Sequence, residues 1–386
     1  MFVVLRNCSC PRGVTFLQAP KNYLRPMRSY YRFQGLSHCL PSKARYKHSQ
    51  VLKQAASSVD AIQSFPKEEK VLVDDVKSKE ENKWVTATPD LKTRIKLYLR
   101  LSKAKLSSFV VISAMAGYAL APGSFDIVGF SCLAAGTSLC SGAANSFNQF
   151  IEVPFDSQMS RTRNRVLVQG LLQPKEAFLF GTIASLVGIS VLSLGNNALT
   201  GVLGALNIIL YAGIYTASKR QSIANTWIGS VVGGIPPLMG WAAATGDLGL
   251  GAWVLAGILY CWQFPHFNAL SWSYRPDYSR AGYRMMAVTD PALCRRVTVR
   301  HSVAQIPLSL MLPILDVTNW WFMLTVTPVN LYLTYLSWRF YKDSNNNSSR
   351  KLFRFSLAHL PLVMALALVH MKRKDKTDNA IDDVIK

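Results

Sequence analysis

The stretch that decides the fold runs from residue 177 to residue 218 and reads AFLFGTIASLVGISVLSLGNNALTGVLGALNIILYAGIYTAS. It contains no Asp, Glu, Lys or Arg. A helix needs about 20 apolar residues to cross the hydrocarbon layer of a bilayer. The stretch is about twice that length, and Gly195-Asn196-Asn197 interrupts it near its middle. We therefore predict two membrane-spanning helices joined by a short turn.

Other parts of the chain repeat this pattern. The remaining stretches without charged side chains are 106–125, 127–151, 221–246, 248–274, 301–315, 317–338 and 355–371. A soluble protein can bury one or two such segments, but not a long succession of them. The sequence predicts an all-α, polytopic membrane bundle of nine transmembrane helices around a central cavity.

The composition supports the same class of protein. The chain has 386 residues, with 43 Lys and Arg against 21 Asp and Glu, and a net charge of +22. Only 17% of its residues are charged and half are hydrophobic, whereas soluble domains have roughly 25% charged residues. This apolar content excludes a disordered chain and argues against a nucleic-acid binder.

Basic residues alternate between the predicted loops. The first, third, fifth and seventh loops contain no Lys or Arg, whereas the second, fourth, sixth and eighth are basic. This alternation is typical of the positive-inside rule. It places the N-terminus and the even-numbered loops in one compartment and the C-terminus in the other.

The N-terminal region has a different composition. Residues 1–59 contain ten Lys and Arg and no Asp or Glu, which is typical of a mitochondrial transit peptide; a basic disordered arm is the alternative. Residues 60–91 are predicted to be a polar linker, 92–371 the nine-helix domain and 372–386 a polar tail. Import would place the protein in the mitochondrial inner membrane. Its N-terminus and motif loops would face the matrix, and its C-terminus the intermembrane space.

Polar residues at the end of the second span form a candidate site. Asn148, Glu152 and Asp156 are spaced i, i+4 and i+8, so they can line one stripe of a helix. Their oxygen atoms are the ligands that Mg²⁺ prefers, and this ion is often shared with substrate phosphates. The alternative is a helix end with ordinary interfacial charges. We favour the functional interpretation because acidic groups at a membrane edge are candidates for function.

The basic loops supply the rest of this candidate site. Asp277 is an acidic residue of the sixth loop, on the same predicted side as Asp156. The cations that we predict to bind phosphate are Arg161, Arg165, Lys219, Arg220 and Arg280. Metal ligands and cations at the end of an apolar bundle suit a diphosphate that carries a hydrocarbon tail.

The fifth span contains helix-breaking residues. Gly233-Gly234 and Pro236-Pro237 lie within it. They favour a break in the helix that lines the cavity, and close packing of helices is the alternative.

Several motifs together resemble the intramembrane prenyltransferase superfamily, and within it the branch that farnesylates protoheme. The resemblance covers about residues 100–371. Its motifs lie at 148–156, 161–167, 215–220, 225–241, 262–267 and 277–282.

The resemblance implies a reaction. A farnesyl group would pass from farnesyl diphosphate to a vinyl group of protoheme IX (heme B), giving heme O and diphosphate, a step of heme A biosynthesis for cytochrome c oxidase. Heme is then a substrate rather than a cofactor, and the heme A synthase step follows. Asn148, Glu152, Asp156 and Asp277 would be the catalytic residues that hold the diphosphate through Mg²⁺. The second acidic motif is reduced here to the single carboxylate of Asp277.

Three questions stay open at this point. His266 lies in a Trp- and Phe-rich motif and is either an axial ligand of the heme iron or a hydrogen-bonding residue of the bundle. The acceptor could instead be a hydroxybenzoate or quinone precursor, although the reduced second motif argues against it. A transporter of anionic metabolites is the third alternative, and the charge-free centres of the spans argue against it.

Overall fold

The computed structural model of the chain describes residues 90–372. The predicted transit peptide at 1–59, nearly all of the predicted linker at 60–91 and the tail after residue 372 lie outside this range. Within the range, the backbone forms helices and turns but no β-strand, apart from one isolated bridge between Thr318 and Met371. The prediction of an all-α protein is therefore confirmed.

Long helices dominate the described range. In chain order the helices are α1 (Leu91–Leu101), α2 (Ala104–Leu120), α3 (Ile127–Asp156), α4 (Pro174–Gly195), α5 (Ala198–Ser218), α6 (Asn225–Thr245), α7 (Leu250–Ser273), α8 (Arg275–Arg280), α9 (Met286–Thr289), α10 (Pro291–Ile314), α11 (Trp321–Asp343) and α12 (Asn346–Val369). Each charge-free stretch of the sequence overlaps a long helix. Among the described residues, α3, α4, α5 and α12 are long and apolar enough to cross a membrane. The total of nine crossings stays a prediction.

The turn inside the long apolar stretch forms where the sequence predicts it. Helix α4 ends at Gly195 and α5 begins at Ala198. Asn197 caps α5 because its Oδ1 accepts a hydrogen bond from the Thr200 amide at 2.9 Å. Its Nδ2 donates to the Ala242 carbonyl of α6 at 2.6 Å. One asparagine thus starts α5 and attaches the turn to the bundle.

Helix α4 carries small residues towards the bundle and large apolar residues away from it. Ala177, Gly181, Ala184 and Gly188 are buried, whereas the exposed residues of this helix include Leu179, Ile183, Leu186 and Leu194. In water this arrangement would leave a large apolar surface exposed. In a bilayer it is favourable, since lipid covers the large side chains and small residues let the helix backbones approach.

The prediction of a break in the fifth span is wrong. Helix α6 continues from Asn225 to Thr245 through both prolines. A Cβ atom at Gly240 would overlap the Ala114 carbonyl oxygen, and one at Gly117 would overlap the Pro237 carbonyl oxygen. Gly117 and Gly240 therefore allow α2 and α6 to pack backbone against backbone. A Cβ atom at Gly234 would lie 3.2 Å from the Ala256 carbonyl oxygen of α7. Close packing of helices is the alternative that the sequence left open for Gly233-Gly234.

The basic loops after α3, α5 and α7 meet at one end of the bundle. Ser160, in the loop after α3, donates a hydrogen bond to Asp277 of α8. The Arg284 amide, after α8, donates to the Lys219 carbonyl, directly after α5, at 2.8 Å. A small apolar cluster joins the loop after α3 to the segment after α7, and it consists of Met159, Tyr278, Ala281, Tyr283 and Met285. This packing brings the predicted site residues of three loops into one region.

Candidate active site

A row of three polar side chains on the last turns of α3 forms the centre of the candidate site. Asn148, Glu152 and Asp156 are each at most 3% exposed. Arg165, from the loop that follows α3, contacts both carboxylates: its Nη1 lies 3.4 Å from Glu152 Oε2 and closer to Asp156 Oδ2. The structure therefore places the carboxylates on one stripe. We call these three residues the α3 row.

A second cation approaches the row from the end of α5. Lys219 Nζ lies 2.5 Å from Glu152 Oε1 and 4.5 Å from the centre of the Tyr215 ring. Tyr211 and Tyr215 belong to a π-helical segment, Ile209–Tyr215, and their ring centres are 5.5 Å apart. Such segments are frequent at functional sites because the wider turn changes the direction of side chains. Here it places aromatic faces beside the charged row.

The amide of Asn148 has a defined orientation. Its Nδ2 donates to Thr216 Oγ1 at 3.1 Å, and the Thr216 hydroxyl donates to the Tyr211 carbonyl at 2.8 Å. Because that hydroxyl proton is already used, Thr216 acts as the acceptor for Asn148. The Oδ1 atom of Asn148 therefore points away from Thr216, and Lys103 Nζ donates to it at 2.9 Å.

The sequence did not single out three of these contacting residues. Lys103 precedes the first predicted span, Ser160 lies between predicted residues, and Thr216 lies in a motif of the resemblance. Their partners are 45, 117 and 68 residues away along the chain, respectively. No local spacing could have identified them.

Asp277 lies on the same end of the protein as the α3 row. It accepts hydrogen bonds from the Ser160 hydroxyl and from Arg280, three residues further along α8. The bond from Ser160 lowers the pKa of Asp277 below its usual range, and Arg280 adds to this effect. Ser160 follows Asp156 by four residues, and Thr162 Oγ1 donates to the Asp156 carbonyl at 2.9 Å. The loop between these residues therefore connects the two acidic motifs.

The remaining predicted cations lie at the rim, away from the carboxylates of the α3 row. Arg161 Nη2 is 3.4 Å from the Tyr278 hydroxyl, and the Arg220 guanidinium lies 4.4 Å from the centre of the Phe155 ring. Arg280 pairs with Asp277 and its side chain is 61% exposed. Of the five predicted cations, Arg165 and Lys219 contact the row, whereas the other three are arranged around it.

His266 faces a different part of the bundle. Its Nδ1 lies 2.9 Å from Ser356 Oγ of α12, and its ring stacks on Trp262 at a centre distance of 4.6 Å. The Ser356 hydroxyl donates to the Phe353 carbonyl, so Nδ1 is the donor in the contact with Ser356. Nε2 then keeps its lone pair, which is the state of a metal-binding imidazole.

The donor set fits Mg²⁺ only if a substrate completes it. Asn148, Glu152 and Asp156 offer hard oxygen ligands, as this ion requires. In residues 90–372, no group of three or more His, Cys, Asp or Glu side chains is arranged to hold a metal ion. The protein oxygens therefore suit an ion that takes its remaining ligands from phosphate and water.

Family membership follows from the sequence of the helical region. Residues 110–360 match the UbiA prenyltransferase family. The chain belongs to this family. The match includes α3, the π-helical segment and the loop that contains Asp277, so the described UbiA region contains both acidic motifs.

Curated relatives are similar over the same region. A mitochondrial protoheme IX farnesyltransferase of Homo sapiens is 54% identical over 291 residues, which are 75% of this chain and 66% of the human protein. The protein of that name from Yarrowia lipolytica is 45% identical over 290 residues, 71% of this chain and 62% of the relative. The chain thus spans slightly less than two thirds of the length of these relatives.

Solved structures share the UbiA fold. Digeranylgeranylglyceryl phosphate synthase superimposes with a TM-score of 0.63 at 16% identity, covering 72% of this chain and 98% of that one. A UbiA homologue from Archaeoglobus fulgidus bound to DMAPP and Mg²⁺ superimposes with a TM-score of 0.54 at 11% identity, covering 70% and 98%. At these identities the likeness establishes a membrane fold of the UbiA type.

Proposed function

We propose that the protein transfers a farnesyl group from farnesyl diphosphate to a vinyl group of protoheme IX and releases heme O and diphosphate. The observation that carries the transfer reaction is the α3 row with Arg165 and Lys219 against its carboxylates. The choice of heme as acceptor is supported by the 54% identity to the human protein named for this reaction.

The charge balance of the site suits a diphosphate. Glu152 and Asp156 contribute two negative charges, Arg165 and Lys219 contribute two positive ones, and Lys103 contributes a third when it is protonated. Burial and the neighbouring Arg165 and Lys219 lower the pKa of Lys103 well below its usual range, so a bound diphosphate stabilises the charged form of this lysine. Protonated Lys103 gives the site a surplus cation, which attracts an anion to a site with little water, where electrostatic interactions are strong. Arg161, Arg220 and Arg280 at the rim add to this attraction and guide the anion inwards.

The chemistry requires the diphosphate to leave with both electrons of its bond to farnesyl C1. Arg165 and Lys219 stabilise the negative charge that develops on it. When bound by the α3 row, Mg²⁺ would supply further charge neutralisation on the same oxygens. The faces of Tyr211 and Tyr215 can stabilise the allylic cation that remains.

The vinyl group of the acceptor then attacks the allylic cation, and water completes the reaction. The π electrons of the vinyl group form a bond to farnesyl C1, which leaves positive charge on the carbon next to the porphyrin ring. A water molecule adds to that carbon and loses a proton to solvent or diphosphate. The product is a hydroxyethylfarnesyl group, and no covalent intermediate with the protein forms.

We also propose the placement of the protein in the cell. Its nine predicted spans would cross the mitochondrial inner membrane, with the loops of the site in the matrix and the C-terminus in the intermembrane space. Support comes from the meeting of three basic loops at one end of the bundle, since basic loops favour the inside of a membrane. Residues 1–59 would act as the transit peptide.

The heme is proposed to lie near α7. His266 Nε2 is the atom that could bind its iron, because Nδ1 donates to Ser356. The contacts of His266 also allow a structural role, in which the imidazole only forms hydrogen bonds within the bundle. A His266→Ala protein with an unchanged heme absorption spectrum would contradict ligation.

One assay tests the proposed function. Full-length protein in detergent is supplied with protoheme IX, farnesyl diphosphate and Mg²⁺, and the pigment is analysed by mass spectrometry. We expect a mass gain of one farnesyl and one hydroxyl group. An Asp156→Asn protein serves as the inactive control.

A parallel reaction separates the two acceptor classes. A hydroxybenzoate replaces protoheme in the same assay, and a prenylated hydroxybenzoate without a heme product would overturn the proposal in favour of a quinone pathway. Retention of both substrates unchanged, with a folded protein, would contradict prenyl transfer altogether.

A further inference from the structure

The corner between α1 and α2 is fastened to the polar face of α3. Gln149 Nε2 donates to the Leu101 carbonyl at 2.6 Å, and Asn145 Nδ2 donates to the Ser102 carbonyl at 3.2 Å. Both amide donors are buried. Lys103 is the next residue of the corner, so the contacts of the two preceding residues determine where its side chain begins.

Lys103 has an unusual backbone conformation. Its φ is 50° and its ψ is 48°, in the left-handed region that L-residues other than Gly, Asn and Asp rarely adopt. Such a residue persists when the surrounding structure requires it, and these residues are concentrated at functional sites. Here the conformation directs the long side chain to Asn148 Oδ1, which Nζ approaches to 2.9 Å.

Lys103 therefore contacts the one neutral oxygen of the α3 row. Arg165 and Lys219 contact the oxygens of Glu152 and Asp156, so a cation lies against every member of the row. A divalent ion that binds the row must compete with these cations. At Asn148 its competitor is the ammonium group of Lys103, since the amide cannot turn without losing its bond to Thr216.

We propose that Lys103 is a positioning residue that couples metal binding to diphosphate binding. It holds Asn148 Oδ1 in the absence of ligands, and it moves from this oxygen to the diphosphate when a divalent ion binds the row. This proposal rests on the proposed function. It explains how the same site delays metal binding until its anionic substrate is present. Lys103 lies outside the region that matches the family, 110–360.

The test uses the full-length protein and two probes applied separately. Mn²⁺ replaces Mg²⁺, and its binding without any phosphate is measured from the signal of free Mn²⁺ in electron paramagnetic resonance. Binding of inorganic diphosphate is measured by calorimetry in a metal chelator. Both affinities are determined for wild-type protein, Lys103→Met, Lys103→Arg and Lys105→Met.

The two affinities of Lys103→Met are expected to change in opposite directions. Mn²⁺ should bind about tenfold more tightly, because a unit charge beside the metal position is removed, and diphosphate should bind about tenfold more weakly. Lys103→Arg keeps a positive charge at the corner, so it should bind Mn²⁺ more weakly and diphosphate more tightly than Lys103→Met does. Lys105→Met removes the same charge from an exposed position and should change neither affinity.

A purely structural role of Lys103 predicts a different result. Loss of the corner would weaken the binding of both probes, and unchanged or weaker Mn²⁺ binding in a folded Lys103→Met protein would overturn the proposal. These outcomes do not depend on the acceptor, so they are separate from the heme assay.

A second measurement covers the case in which Lys103→Met does not fold. In the wild-type protein, Mn²⁺ should increase the rate at which an amine-reactive reagent modifies Lys103 relative to Lys105, as read by mass spectrometry. An unchanged ratio would also overturn the proposal.

Discussion

Two buried polar regions of the bundle differ in kind. The α3 row contains two carboxylates and is surrounded by cations. The second region, between α10, α11 and α12, consists of neutral groups that bond to one another. Ser302 Oγ lies 2.6 Å from Ser337 Oγ, and Asn330 Nδ2 donates to Ser309 Oγ at 2.9 Å. His359 Nε2 lies 2.9 Å from Asn330 Oδ1.

The difference shows how a membrane protein uses buried polarity. Neutral hydrogen bonds between helices satisfy the buried donors and acceptors and fix the packing of the helices. Each of them stabilises the fold by about 0.6 kcal/mol on average. Ionic groups cost far more to bury, so a row of them with a surplus of positive charge indicates a ligand. We therefore expect substitutions in the α3 row to affect chemistry and substitutions in the neutral region to affect stability.

The largest effect is expected for Asp156→Asn. The change keeps the shape of the side chain but removes a charge from the α3 row, so the rate of farnesyl transfer should fall by about a thousandfold or more. Single-turnover product formation measures this rate. Asp126→Asn is the matched control, because Asp126 caps the other end of the same helix and Asn also caps helices well. Equal losses in the two proteins would contradict the comparison.

A smaller effect is expected for Ser160→Ala. Ser160 does not belong to the row, but it holds Asp277 in place, and a misplaced group near the reaction lowers the rate by about tenfold to a hundredfold. Ser160→Thr keeps the hydroxyl and should retain most of the activity. A rate unchanged from wild type in Ser160→Ala would show that Asp277 needs no such positioning.

In the neutral region, Asn330→Leu should reduce stability without a comparable loss of activity. The substitution removes the bonds to Ser309 and His359, which should lower the free energy of unfolding by about 1 to 2 kcal/mol. Unfolding in mixed micelles measures this loss, and farnesyl transfer at low temperature should stay within about threefold of wild type. A large loss of farnesyl transfer in a folded Asn330→Leu protein would contradict the expectation that the neutral region affects only stability.

The smallest effect concerns pH. Because the pKa of Asp277 is lowered by Ser160, its ion contacts stabilise the fold above the unfolded pKa of about 3.9 and are lost only as the pH falls through the lower folded value. The ratio of activities of wild type and Asp277→Asn should therefore be constant between pH 6 and 8. A ratio that changes within this range would show that Asp277 titrates there.

Local patterns predicted much of this molecule, for reasons that particular residues make clear. The break at Gly195-Asn196-Asn197 was predictable because glycine and asparagine end and cap helices within a few residues. The row at Asn148, Glu152 and Asp156 was predictable from the helical period. Pro236 and Pro237 misled the prediction, since the same residues that break isolated helices are tolerated where a neighbouring helix packs closely.

The sequence by itself determined the all-α membrane class, the order of the helices and the helix face that carries the acidic row, because all three depend on short-range periodicity and charge. Only the tertiary structure decided which cations contact that row. Lys103 and Lys219 contact residues of the row that are 45 and 67 positions away, and Ser160 contacts Asp277, which is 117 positions away. Such contacts arise from the packing of helices and loops, so the spacing of residues within one segment cannot predict them.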